Sequence, residues 1–158
     1  MIFASLLEPG RVLCNVEGRS KKHALDILSE LLASAGDLDQ DEIFSSLISR
    51  EKLGCTAIDN GVAIPHGRLE GLDRSYGAFL KLSQPVDFDT PEGDPVDLIF
   101  GLLVPAPAKG SGCHLEEISV LASALADPGL TRALRRASSS RSLYDLLVNY
   151  SEPKAASA

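Results

Sequence analysis

The stretch Asn60-Gly61-Val62-Ala63-Ile64-Pro65-His66-Gly67-Arg68 places one histidine between a short apolar run and a glycine, with a cation two residues on. A neutral imidazole, with an ordinary pKa of about 6.5, is nucleophilic near neutral pH, so His66 is a candidate phosphoryl acceptor. Phosphoryl transfer asks a protein mainly for positioning and for donors on the equatorial oxygens. Arg50 can supply a guanidinium fork that matches phosphate geometry. His114, at an expected helix N-terminus, can add an N–H and the positive end of a dipole. Thr56 can add a hydroxyl, and Gly67 lets the main chain pass close to the ring or to whatever binds it. Each residue also has a plainer reading. A histidine between proline and glycine is an ordinary turn residue, and an arginine in a last helical turn favours the negative end of the dipole. Composition alone does not bring these groups together in space.

The elements that must position them follow from periodicity. Arg11 to Val16 alternates as a strand, with Val12, Cys14 and Val16 on one face. Ser20 caps a helix from near Lys21, whose stripe is Leu25, Leu28, Leu31 and Leu32. His23 lies early in that helix beside Lys21 and Lys22, on a solvated face. Asp39 and Glu42 stand three apart, as in a capping box, ahead of Ile43, Phe44, Leu47 and Ile48, and Gly54 stops that helix. Val62 to Ile64 reads as a brief buried strand that Pro65 ends, so His66 is expected at a strand-to-loop junction. Ser75 to Leu82 is a strand, with Tyr76, Ala78, Leu80 and Leu82 on one side, and Gln84-Pro85 is expected to turn the chain. Val96 to Val104 is apolar on both faces and reads as an inner strand covered from two sides. After a small-residue loop, 106–112, the positions Leu115, Ile118, Leu121, Ala122 and Leu125 recur with helical spacing. Pro128-Gly129 is expected to break the chain before two short helices, 130–137 and 142–148. The whole predicts an α/β domain, a mixed sheet flanked by helices on both faces, over residues 1–150, with 151–158 a frayed tail.

Composition excludes several classes. The 158 residues suit one domain with one core. A net charge of −7 and few aromatics, 5% with no tryptophan, speak against nucleic-acid binding. Three cysteines, Cys14, Cys55 and Cys113, form no CxxC pair, which fits a reducing compartment and a cytoplasmic protein. The N-terminus lacks the pattern of a signal peptide, and no apolar run is long enough to span a bilayer. Gly110-Ser111-Gly112 lacks the third glycine of a dinucleotide loop, and neither a P-loop nor a His/Cys cluster with zinc spacing is present.

The segment Ser49-Arg50-Glu51-Lys52-Leu53-Gly54-Cys55-Thr56-Ala57-Ile58, continuing through Asn60 to Arg68, resembles the phosphorylation site of the fructose/mannitol-type IIA domains of the bacterial phosphoenolpyruvate-dependent phosphotransferase system. Pro95-Val96-Asp97-Leu98-Ile99-Phe100 and Leu103-Val104-Pro105, followed by His114-Leu115, fit the same family's later pattern, so the resemblance covers roughly residues 5 to 148. It implies a mixed α/β sheet fold and needs no cofactor and no metal. It implies that His66 receives phosphate from a small HPr- or NPr-like carrier as a tele-phosphohistidine, although the residues themselves do not choose a ring nitrogen. Arg50 and His114 match the family's supporting arginine and second histidine, with Thr56 and Gly67 as phosphate support. Asp59 stands where related sequences often carry glycine, and is expected to point outward. Cys55 stands where serine is common. The free-standing chain resembles the nitrogen-related regulatory branch, IIA-Ntr, which implies regulatory target proteins as partners. Two alternatives stay open: a sugar-transport IIA that passes phosphate to a separate IIB protein, and a binding module that is never phosphorylated.

Overall fold

The computed structural model describes residues 2–106 and 114–151, with the side chains of His114 and Leu115 outside that description. In chain order it contains α1 (Ile2–Leu6), a single 3-10 turn (Pro9–Arg11), β1 (Val12–Val16), α2 (Lys21–Ala33), α3 (Gln40–Leu53), β2 (Ala57–Ile58), β3 (Val62–Ala63), β4 (His66–Leu69), β5 (Tyr76–Val86), β6 (Val96–Pro105), α4 (His114–Leu125), α5 (Pro128–Arg136) and α6 (Ser140–Val148). The expected loop 106–112 beyond Ala106, Cys113 and the polar tail from Pro153 lie outside the described residues.

The strands form one mixed sheet in the order β1-β5-β6-β3-β2, with β4 also paired to β6. β1 runs parallel to β5, β5 antiparallel to β6, and β3 and β4 both parallel to β6. The expected inner strand is therefore β6, whose alternate residues enter two separate cores. Leu98, Phe100, Leu102 and Val104 pack with α1, α4, α5 and α6 on one face, while Ile99 and Leu103 pack with α2 and α3 on the other. That two-sided burial is why the segment carries so few polar residues. The fold class read from the sequence, a mixed sheet with helices on both faces, is the one observed.

Local expectations hold at the helix caps. Ser20 Oγ accepts from His23 N, and the Asp39 carboxylate accepts from Asp41 N and Glu42 N. Four expectations need correction. Val16 leaves the face of Val12 and Cys14, because Asn15 adopts a left-handed conformation (φ 55°) at a register shift in β1. Gln84-Pro85 does not turn the chain; β5 runs through it to Val86, and the register shift between Lys81 and Val86 accommodates the proline. Pro128-Gly129 opens α5 rather than breaking the chain, since Asp127 caps there and proline suits a first helical turn.

The fourth correction concerns Pro65. It interrupts pairing for only a moment. Val62 faces Leu98 across the ladder and His66 faces Leu102, the same offset on both sides of the proline. The Pro65 carbonyl still accepts from Leu102 N at 2.9 Å, so only the donor is missing. His66 therefore begins a paired strand instead of a loop.

Candidate functional site

Helix α3 is seated on β4 by small groups. A Cβ built on Gly67 would stand 2.5 Å from Ser46 Oγ and 3.0 Å from Ser46 Cβ, so glycine is what lets the helix come this close. Ser46 Oγ accepts from Arg68 N at 2.7 Å and donates to Arg68 O at 2.9 Å, completing the edge of β4 that faces away from β6. Ile43 and Leu47 bury the helix against the sheet. Arg50 lies one turn beyond Ser46, and His66 lies two residues before Arg68. The docking thus brings the two together: Arg50 Nε donates to His66 Nε2 at 3.1 Å. Arg50 Nη1 also donates to Gly54 O at 2.9 Å, which braces the guanidinium against its own helix end.

The other ring nitrogen is held as firmly. His66 Nδ1 lies 2.9 Å from Ile64 O. A carbonyl only accepts, so Nδ1 carries the ring proton; Arg50 Nε only donates, so Nε2 keeps its lone pair. Partial burial holds the imidazole below its ordinary pKa; the Ile64 carbonyl and Glu51 oppose this, and the charges of Arg50 and Arg68 reinforce it. The ring is a neutral imidazole with one defined tautomer and an unprotonated Nε2.

The remaining sequence candidates distribute differently. The Thr56 hydroxyl donates to Glu51 Oε1 and is buried. Gly67 spends its clearance on Ser46. Cys55 Sγ donates to Phe88 O at 3.2 Å. Asp59 is exposed, as expected. His114 opens α4, and its side chain lies outside the described residues. His23 is half-buried, with Nδ1 accepting from Arg19 N at 3.1 Å.

The hairpin that leads into His66 is fixed from the far end of the chain. Asn60 and Gly61 both take left-handed conformations, at φ 66° and 74°, between antiparallel β2 and β3. Arg135 on α5 donates to Asn60 O and pairs with Asp97, Nη2 to Oδ1 at 2.8 Å and Nε to Oδ2 at 3.1 Å. A Cβ on Gly61 would stand 2.8 Å from Arg135 Nη2, so glycine serves both the turn and the clamp. Lys81 Nζ donates to Arg135 O and Ala137 O, both at 2.6 Å, and holds the C-terminal end of α5 on the sheet.

Reading the sequence missed Ser46, Ile64, Glu51 and Arg135. The Asn60-Gly61 pair is a usable hairpin signal, and Glu51 stands next to Arg50 in the segment that carries the family resemblance. The contributions of Ser46 and Arg135 depend on long-range docking and have no local signature.

No helix among the described residues is long and apolar enough to cross a membrane. A Nitrogen regulatory protein of Escherichia coli (strain K12) is 44% identical over 148 residues, which cover 93% of this chain and 90% of that protein. The crystal structure of Nitrogen Regulatory Protein IIA-Ntr from Neisseria meningitidis superposes with a TM-score of 0.84 at 37% identity, covering 93% of this chain and 99% of that one. The crystal structure of IIA mannitol from Escherichia coli shares the fold, with a TM-score of 0.73 at 24% identity over 89% of this chain and 98% of that one. The family model described as "Phosphoenolpyruvate-dependent sugar phosphotransferase system, EIIA 2" matches residues 5–150. With the fold, the relatives and that match in agreement, the chain belongs to the EIIA 2 family of the phosphoenolpyruvate-dependent sugar phosphotransferase system.

Proposed function

We propose that the chain is a cytoplasmic phosphohistidine carrier that takes a phosphoryl group on Nε2 of His66 from a small HPr- or NPr-like protein, and that it serves as a regulatory IIA of the nitrogen-related kind. The observation that carries this reading is the pair of bonds on the ring, Nδ1–H to Ile64 O and Arg50 Nε–H to Nε2. They leave one nitrogen with a lone pair, beside a cation. In the transfer, the Nε2 lone pair forms the new N–P bond while the donor N–P bond breaks and its electron pair returns to the donor imidazole. Arg50 moves from Nε2 to the phosphoryl oxygens, where its fork suits their geometry. The ring gains positive charge as the bond forms, and the Nδ1–H bond to Ile64 O strengthens accordingly. Thr56 and Gly67 support the phosphate indirectly, through Glu51 and through the seating of α3. His114, at the start of α4, is assigned a supporting role beside Arg50.

The regulatory branch is favoured by the relative named Nitrogen regulatory protein at 44% identity and by the IIA-Ntr structure at TM-score 0.84. Incubation with a phosphorylated carrier, read by intact mass and acid sensitivity, tests the carrier reading. The expected product is an acid-labile adduct that His66→Ala abolishes, and retained label in that variant refutes the assignment. Adding a sugar-specific IIB protein separates the branches, because efficient loss of phosphate to it supports transport and retention supports regulation.

A further inference from the structure

Glu51 follows Arg50 in the last turn of α3, and its side chain turns inward where that of Arg50 turns toward His66. The carboxylate is almost sealed from water, with its side chain 4% exposed. Oε1 accepts the Thr56 hydroxyl. Oε2 lies 2.8 Å from Lys21 Nζ on α2, off the line of a directed hydrogen bond, so the contact is an ion pair. Lys21 is itself largely buried; it donates to Phe88 O at 3.3 Å and lies 5.0 Å from the centre of the Phe88 ring.

A buried ion pair is a poor device for stability, since well-packed apolar residues of the same volume often do as well or better. The main chain suggests another use for it. Thr56 O accepts from Ile64 N at 3.0 Å, and Ile64 O accepts the His66 Nδ1 proton at 2.9 Å. Three hydrogen bonds therefore join the Glu51 carboxylate to the imidazole, through Thr56 and Ile64. Glu51 is also the negative charge acting on a ring that Arg50 and Arg68 make electropositive.

We propose that Glu51, held in place by Lys21, is a positioning residue for His66: through Thr56 it fixes the Ile64 carbonyl, which keeps the ring proton on Nδ1 and leaves Nε2 free to attack phosphorus. Its charge has a second effect. As Nε2 donates its pair to phosphorus and the donor nitrogen takes back its own, the His66 ring becomes cationic with its Nδ1 proton retained, and the nearby carboxylate favours that change. The inference rests on His66 being the phosphoryl acceptor.

The test reads the ring directly. Long-range proton–nitrogen NMR of the full-length 15N-labelled protein reports the His66 tautomer without any phosphorylation, and single-turnover labelling from a phosphorylated carrier reports the rate. Thr56→Val is expected to mix the tautomers and slow transfer ~10-fold or more, since small misplacements of a reacting group cost rate heavily. Thr56→Ser, which restores the hydroxyl, is expected to recover both. The double variant Lys21→Met with Glu51→Gln keeps an acceptor for Thr56 and removes both charges together, so the tautomer should persist while transfer slows. If Thr56→Val does not fold, Glu51→Asp carries the same prediction, because it keeps the charge and shortens its reach. A folded Thr56→Val, or a folded Glu51→Asp in its place, with wild-type tautomer and rate would overturn the proposal. Label found on a residue other than His66 in the wild type would overturn the acceptor reading, while the tautomer comparison would still decide whether Glu51 orients the ring.

Discussion

Ser46 Oγ bonds both main-chain groups of Arg68, accepting from its N at 2.7 Å and donating to its O at 2.9 Å, so a side chain of α3 takes the place of a neighbouring strand at the free edge of β4. Gly67 makes the approach possible. Replacing it by alanine puts a methyl group 2.5 Å from Ser46 Oγ, and either the helix or the serine must move. Overpacking of this kind costs about 1–3 kcal/mol, a fall of several degrees in Tm for a chain of this size. Because α3 also carries Arg50, Gly67→Ala should slow phosphorylation of His66 as well as lower Tm. Pairing it with Ser46→Ala should recover part of both losses, but not all, since the Cβ of residue 46 is itself close. Calorimetry and single-turnover labelling of the two variants check this, and a Gly67→Ala protein with wild-type Tm would count against the packing.

Arg50 offers a test of the guanidinium fork. Arg50→Ala should lower the transfer rate about 100-fold, the usual cost of removing one preorganised donor to a developing charge. Arg50→Lys should fall between the two, because an ammonium keeps the charge and loses the planar pair of donors. Equal rates for the lysine variant and the wild type would show that charge alone suffices.

The His66 ring should titrate below the usual imidazole value of about 6.5, because burial, then Arg50 and Arg68, disfavour its protonation. The unprotonated, nucleophilic form then predominates at pH 7, and its share falls as pH drops toward the lowered pKa of the ring. The sign for stability is the same. An unfolded chain takes up the proton first as pH falls through its ordinary pKa, so stability from this group is complete above that value and is lost progressively toward the lower folded pKa. NMR titration of the ring in the wild type and in Arg50→Gln checks both, with a higher midpoint expected in the variant. A wild-type midpoint at or above 6.5 would refute the electrostatic account.

Arg135 is predicted to matter for the hairpin before His66. Its guanidinium holds Asp97 and the Asn60 carbonyl, so Arg135→Ala should cost about 1–2 kcal/mol, in the range of charge-assisted hydrogen bonds that are partly exposed. In a double-mutant cycle with Asp97→Asn, chemical denaturation should reveal a coupling free energy well above that of a surface pair. Additive effects would mean that the two side chains do not act together.

Much of this molecule was legible in the chain, for physical reasons. The apolar run that became β6 announced two covered faces, and Ser20 and Asp39 announced helix starts, because burial and capping are local demands on residue type. His66 and Arg50 were identified and do meet. Residue type alone predicts a strand end at Pro65, a turn at Pro85 and a break at Pro128, and the structure has a paired strand, a continuous strand and a helix start there. Only the missing N–H is fixed by the sequence; whether it matters depends on which neighbour faces that nitrogen, and here a parallel partner, a register shift and a helix start each tolerate it. The Thr56 hydroxyl, a candidate phosphate donor by residue type, donates to Glu51 in the structure. That preference arises from the burial of Glu51, a consequence of how α2 and α3 pack that no local spacing encodes.

Arg135 grips the turn ahead of His66 although 69 positions separate them along the chain, counting from 66 to 135. A polypeptide emerging from the ribosome exposes the nucleophile long before it exposes that grip. The reactive imidazole is thus born early and tightened late, so a prematurely ended product could carry the histidine and still lack the brace on its hairpin.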